Sequence, residues 1–273
     1  MIEVKDLNDE KLKVYTSLND NGLKHYYEPK EGLFIAESLK VIERALKAGY
    51  KPESFLIEKE AAEGEAKALI KKYDKKTDIY VMPQDEIKSI TGYALTGGIF
   101  AAMKRKKLLS VADLLKDAKC IAILDNIENP TNVGAIFRNA AALSLDGVIL
   151  TSASADPLYK RASRVSMGTV FQIPWTICDE VPFKELQENG FIALAMALSN
   201  ETISIDDTRL KMVSKSAIIL GNEGDGLPEE TIKKANCVVK IPMQDGVDSL
   251  NVAAASAIAF WELKRNSENI SNS

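Results

Sequence analysis

Three stretches of this chain combine small polar side chains with glycine in a way that suits a ligand site. The first runs Asp125-Asn126-Ile127-Glu128-Asn129-Pro130-Thr131-Asn132-Val133-Gly134-Ala135-Ile136-Phe137-Arg138. Asn132 suits a helix N-cap, Gly134 allows close approach to the first turn, and Arg138 falls on the second turn of an otherwise apolar helix. A guanidinium there is costly to bury without a carboxylate or phosphate, so it is either one arm of a structural salt bridge or an anion-binding group. The second stretch, Gly221-Asn222-Glu223-Gly224-Asp225-Gly226-Leu227-Pro228, places three glycines in six positions. That loop is either a tight strand-to-helix turn or a backbone in contact with a ligand. Glu223 in it would accept hydrogen bonds from the ligand or pair with Arg138. The third stretch covers 240–261: a β-branched run ends at Pro242, a loop follows, and Ser249-Leu250-Asn251 opens an Ala-rich helix. Ser249 there is a simple cap, or a polar group at the positive end of the helix macrodipole.

These loops need strands and helices to hold them. Apolar spacing predicts a helix over 3–27, a short apolar run at 32–35, a helix from Ser38 to Gly49, and strands at 55–57, 79–82 and 97–103. Helices over 61–73 and 84–91 lie between those strands, which makes residues 1–106 a small α/β unit. The segment 107–117 reads as a linker that carries a short helix capped by Ser110. A second α/β series fills 118–265. Its strands lie at 120–125, 147–151, 173–177, 191–197, 216–220 and 237–241, and its helices at 132–144, 156–167, 181–189, 228–235 and 250–265. Runs such as Ile121-Ala122-Ile123-Leu124 and Ala217-Ile218-Ile219-Leu220 are apolar throughout, as buried parallel strands are. All three loops therefore leave carboxyl ends of parallel strands, where open α/β sheets bind ligands. Residues 266–273 read as a polar, flexible tail.

Composition narrows the chemistry. With one histidine, His25, expected at a surface turn, there is no zinc cluster and no Ser-His-Asp set. Cys120, Cys178 and Cys237 are odd in number, far apart and set in apolar runs, so they are expected to be buried thiols in a reducing, cytoplasmic compartment. No apolar run is long enough to span a bilayer. Neither a G-x-G-x-x-G fingerprint nor a Walker loop is present, which excludes the common dinucleotide and P-loop sites. The net charge of −4 divides unevenly: residues 1–107 carry +2 and the rest −6. Two basic runs, Lys71-Lys72…Lys75-Lys76 and Lys104-Arg105-Lys106-Lys107, are either solvated surface or a nucleic-acid contact.

Taken in order, the three motifs resemble those of SPOUT-class RNA methyltransferases, and specifically the SpoU/TrmH family of ribose 2′-O-methyltransferases. The matching residues are Asn132, Gly134 and Arg138; Gly221-Asn222-Glu223-Gly224; and Ile241-Pro242-Met243 with Ser249-Leu250-Asn251. Residues 34–46 are similar, more loosely, to the ribosomal-protein-like RNA-binding domain found on this family, whose usual Glu-Gly pair is Glu37-Ser38 here. The resemblance implies a trefoil knot in a mostly parallel sheet, a homodimer formed through the C-terminal domain, and S-adenosylmethionine as cofactor. It assigns Gly221, Ile241, Leu250, Ala197 and Leu198 to the cofactor, and Arg138, Asn132, Glu223, Ser249 and Asn251 to the ribose 2′-hydroxyl. The substrate implied is structured RNA, ribosomal RNA before transfer RNA. A non-catalytic RNA-binding protein on the same scaffold is the alternative, and the intact polar set argues against it. A guanidinium with a solution pKa above 12 is a poor base near neutrality. Arg138 therefore suits binding of the adjacent phosphate and of developing alkoxide charge better than proton abstraction.

Overall fold

Buried β-branched runs and amphipathic helices build two separate α/β units in the computed structural model, which describes residues 1–4, 10–16, 19–26, 32–91, 96–199, 202–222, 224–244, 246 and 249–271. The first unit comprises Met1–Lys107 and Leu158–Phe171. It begins with β1 (Ile2–Glu3), α1 (Lys13–Thr16), α2 (Asp20–Lys24), β2 (Leu33–Glu37) and α3 (Leu39–Lys47). It continues with β3 (Lys51–Glu58), α4 (Lys59–Glu63), α5 (Lys67–Tyr73), β4 (Asp78–Met82), α6 (Gln84–Thr91) and β5 (Ile99–Lys104). The sheet order is β1-β4-β3-β5-β2, with β5 antiparallel to both of its neighbours. The single helix expected over 3–27 does not form. Ile2 and Glu3 pair with Tyr80 and Val81, and the Asn19 side chain accepts from the Gly22 amide at 2.8 Å, which starts a fresh helix. His25 is exposed at the end of that helix.

The basic run 104–107 is largely tied down in this unit. Lys104 pairs with Glu53 at 2.8 Å, and Arg105 donates from Nε to the Leu33 carbonyl at 3.3 Å. Lys106 donates to the Ala48 carbonyl while its ammonium sits 4.5 Å from the centre of the Tyr50 ring. These three cations brace strand and helix ends.

The second unit comprises Leu108–Pro157 and Gln172–Ser273. In chain order the elements are α7 (Val111–Leu115), β6 (Cys120–Leu124), α8 (Pro130–Ala142), β7 (Gly147–Thr151), α9 (Lys160–Val165), β8 (Trp175–Cys178), α10 (Phe183–Glu188) and β9 (Ile192–Met196). There follow β10 (Ile203–Ser204), β11 (Ser216–Leu220), α11 (Glu229–Lys234), β12 (Cys237–Lys240) and α12 (Val252–Ser271). Of these, α9 groups with the first unit. The sheet order is β10-β12-β9-β11-β6-β7-β8, and every pairing is parallel. The two-residue β10, which pairs with β12, was too short to show as an apolar run. Ser110 caps α7 as expected, accepting from the Asp113 amide at 3.0 Å, and Leu114 and Leu115 join the buried layer of Ile121, Ile123, Ala217 and Ile219. The three cysteines are free. Cys120 is buried, but Cys178 and Cys237 are only half-buried because they stand at ends of their strands. Burial pushes the Cys178 thiol up to about 11, which leaves it an inert thiol at neutral pH.

One local conformation is strained. Ser38, between β2 and α3, has φ 75° and ψ 147°, a region natural only to glycine. It stands where the resembling family carries glycine. Replacing it should relieve more strain than the added freedom of an unfolded glycine costs. Ser38→Gly is therefore expected to raise the unfolding free energy by about 1 kcal/mol in urea denaturation. A lower midpoint would mean that the serine side chain contributes a contact outweighing its backbone cost.

Candidate functional site

Four neighbouring strands in the order β12-β9-β11-β6 run in the same direction, so the segments after them emerge at one edge of the sheet. Three of these segments and the start of α12 surround a cavity of 390 Å³. Its wall includes Ala197 and Leu198 after β9, Gly221 after β11, Ile241 after β12, and Ser249 and Leu250 before α12. All five positions expected to hold a cofactor thus share one pocket, which Ser249, expected at the ribose hydroxyl, also lines. Leu220, Leu227, Val239, Met243 and Val252 complete a largely apolar lining. Leu220 and Val239 fall at strand ends, Leu227 and Met243 in loops and Val252 at the start of α12, where sequence pattern marks burial but not which cavity is lined.

The 221–226 loop is shaped by its own backbone. The Gly226 amide donates to the Asn222 carbonyl at 3.0 Å, and the Gly224 amide donates to the Asn222 side chain at 2.8 Å. Gly226 has φ 70°, and a Cβ on Gly221 would lie 2.5 Å from the Gly226 carbonyl carbon. The Asn222 amide nitrogen also donates to the Asn126 carbonyl at 3.1 Å, tying this loop to the one after β6. There Asn126 adopts φ 60°, and the buried Asp125 accepts from the Thr231 hydroxyl at 2.8 Å.

The capping pattern differs from expectation at both helices. Asn129, not Asn132, caps α8: its side chain accepts from the Thr131 amide at 2.9 Å, with Pro130 in the first turn. The Asn129-Pro130 pair carried that signal. Asn132 instead lies buried inside α8, and its Oδ1 accepts from Asn251 Nδ2 at 3.4 Å. Asn251 also takes the cap expected of Ser249, accepting from the Ala253 amide at 2.9 Å. Ser249 is exposed two residues earlier and free to face the cavity. Arg138 is exposed on α8, and among the described residues it makes no ion pair. It does not line the 390 Å³ cavity. Glu223 lies outside the described residues.

One residue that sequence reasoning missed holds the two helices together. Asn139 donates from Nδ2 to the Ala253 carbonyl at 2.8 Å and to the Ser256 hydroxyl at 2.9 Å. The Ala-rich run at the start of α12 thus packs on α8 of the same subunit, which the small residues permit. An asparagine inside an apolar helix was the available signal, because such a group needs a partner when it is half-buried.

The sequence profile of the SpoU rRNA methylase family matches residues 119–261. A Mycobacterium bovis protein described as an uncharacterized tRNA/rRNA methyltransferase is 33% identical over 276 residues, spanning 98% of this chain and 93% of its own. Among solved structures, an AdoMet-bound rRNA methyltransferase from Sinorhizobium meliloti superposes with a TM-score of 0.81 at 25% identity over 97% of each chain. AviRb, a SpoU methyltransferase from Streptomyces viridochromogenes solved in complex with AdoMet, shares the fold with a TM-score of 0.73 at 20% identity, over 88% of this chain and 91% of its own.

Because the contacts an added Cβ would make at Gly221 are all with backbone, Gly221→Ala must move the 221–226 loop. We expect a loss of about 2 kcal/mol in urea denaturation, in the range of over-packed sites. An unchanged midpoint would show that the loop relaxes freely.

Proposed function

The chain belongs to the SpoU rRNA methylase family, and on that premise we propose that it transfers a methyl group from S-adenosylmethionine to a ribose 2′-hydroxyl in structured RNA. Ribosomal RNA is the first choice of substrate and transfer RNA the second. The observation that carries this reading is the convergence of Gly221, Ile241, Leu250, Ala197, Leu198 and Ser249 on one cavity. Its volume is within the range of small-molecule pockets. Its apolar walls suit an adenine ring, and Gly221, Gly224 and Gly226 in its lining offer backbone amides and carbonyls at close range. S-adenosylmethionine, when bound, supplies a methyl group already activated by the sulfonium.

The polar residues divide the remaining work. Arg138, exposed on α8, binds the substrate phosphate and the charge that develops on the 2′-oxygen. Ser249, Asn251, Asn132 and Glu223 orient the ribose. The hydrogen bond between Asn132 and Asn251 fixes two of these against each other. The first unit takes the RNA-binding role. A homodimer through the second unit is supported by the outer face of α12, where Ala254, Ile258 and Trp261 recur at i, i+4 and i+7 and Trp261 is 58% exposed. A trefoil knot belongs to the same reading. It is supported by the strand order, in which β11 is inserted between the earlier strands β6 and β9 before α12 returns to α8. Three free cysteines fit a cytoplasmic location.

Two substitutions separate substrate from cofactor. Arg138→Ala is expected to abolish methyl incorporation into RNA while calorimetric titration with S-adenosylmethionine stays near the parent value. A large loss of cofactor affinity would remove Arg138 from the substrate side. Leu250→Asp places a charge in the apolar wall and should weaken cofactor binding first, by tenfold or more for about 1.4 kcal/mol. Unchanged affinity would take Leu250 out of the pocket.

A further inference from the structure

One edge of the sheet in the first unit gathers lysines from three strands. β4 runs parallel to β3 with Asp78 opposite Ser54, and β5 runs antiparallel to β3 with Lys104 opposite Lys51. The starts of β3 and β4 therefore lie beside the end of β5. Lys71, Lys72, Lys75 and Lys76 lead into β4, Lys51 opens β3, and Lys107 follows β5. All six are exposed. Their backbone is well anchored where α5 ends. The Asp74 amide donates to the Ile70 carbonyl at 2.8 Å, and the Lys76 and Thr77 amides donate to the Tyr73 carbonyl at 2.8 and 3.0 Å. Leu69 and Ile70 are buried, and the Tyr73 ring lies 5.6 Å from that of Phe55, which seats the end of α5 on β3.

None of the six ammonium groups makes a hydrogen bond or ion pair with a described residue; Lys72 lies 5.4 Å from the centre of the adjacent Tyr73 ring. The described acids at this edge are engaged. Glu53 pairs with Lys104 and Asp74 with the terminal ammonium, both at 2.8 Å, and Asp78 accepts from the Tyr80 hydroxyl at 3.3 Å. Other cations of the unit serve its own structure. Arg44 donates to the Met167 carbonyl at 2.6 Å, Arg164 meets Glu37 at 3.5 Å, and the Lys160 amide donates to Asp20 at 3.4 Å.

We infer that this lysine edge binds the phosphate backbone of the RNA substrate, an inference that rests on the RNA methyltransferase reading above. Clustered ammonium groups repel one another, and a polyanion relieves that repulsion while releasing its own counterions. An ammonium is a point charge on a flexible stem, suited to phosphates and not to the edge of one base, so this contact positions RNA without reading sequence. The test uses the full chain, deproteinised total RNA and filter retention across a salt series. K71Q/K72Q/K75Q/K76Q should weaken retention by about tenfold or more and make the salt slope shallower by about two to four. K75E/K76E, which alters residues beyond the end of α5, should move both readouts the same way, with a urea midpoint near that of the parent. K40Q/K47Q, on the exposed face of α3, should leave retention within about threefold of the parent. A parent that retains no RNA at low salt, parent-like retention and slope in both lysine-edge variants, or an equal loss in K40Q/K47Q overturns the inference. Methyl incorporation, measured on the same samples, separates the two proposals. Retention that depends on this edge in a chain that transfers no methyl group supports the surface and overturns the function. An active chain indifferent to these charges overturns the surface alone.

Discussion

Parallel pairing of β12, β9, β11 and β6 is the constraint from which the candidate site follows. Strands that all run one way must deliver their carboxyl ends to one edge, so segments far apart in sequence become neighbours without contacts of their own. The register leaves little freedom. Ala217 and Ile219 face Ala193 and Ala195 on one side and Ile121 and Ile123 on the other, all fully or nearly fully buried. A one-residue slip would turn those side chains to the opposite face and dismantle the layer. The position of Gly221 is thus set by core packing as much as by its own loop.

A second constraint acts across the helices. Asn139 satisfies both amide hydrogens on α12, one at a backbone carbonyl and one at a hydroxyl that itself donates to that carbonyl at 2.7 Å. This network fixes the start of α12 against α8, and with it the Asn132–Asn251 pair. Because a half-buried amide that loses its partners costs on the order of 1–3 kcal/mol, sliding one helix along the other is disfavoured. The strand edge sets which loops meet, and the asparagine network sets the depth at which α12 enters among them.

Much of this was legible in the sequence. The strands of the second unit were found because burial on both faces leaves a continuous apolar run that nothing else in the chain imitates. Gly221, Ile241 and Leu250, which the motifs single out, line one cavity, and the crowded backbone at Gly221 gives a reason for the residue type. The α8 cap was misplaced although the Asn129-Pro130 pair marked it locally, whereas at α12 Ser249 and Asn251 are both good capping residues and local sequence does not choose between them. Asn251, the residue that caps α12, also pairs with Asn132, 119 positions away. The N-terminal helix failed for another reason: Ile2 and Glu3 were claimed by β4, nearly eighty residues on. There long-range pairing overrode local propensity.

The exposure of Arg138 bears on how the proposed chemistry can work. A unit charge about 4 Å from another is worth only about 1 kcal/mol in bulk water, and about 4 kcal/mol at the effective dielectric near a protein surface. An arginine left in water could thus lower a barrier by less than a factor of ten. For Arg138 to stabilise charge on a 2′-oxygen, water must leave as the substrate arrives, and within the described residues no carboxylate neutralises the guanidinium beforehand. The RNA that supplies the phosphate can also supply the exclusion. On this reading substrate binding and catalytic power are linked by desolvation: a short nucleotide fragment that fills the ribose position but leaves α8 wet gains little. A structured RNA that covers the helix brings the dielectric down and makes the same cation count for more.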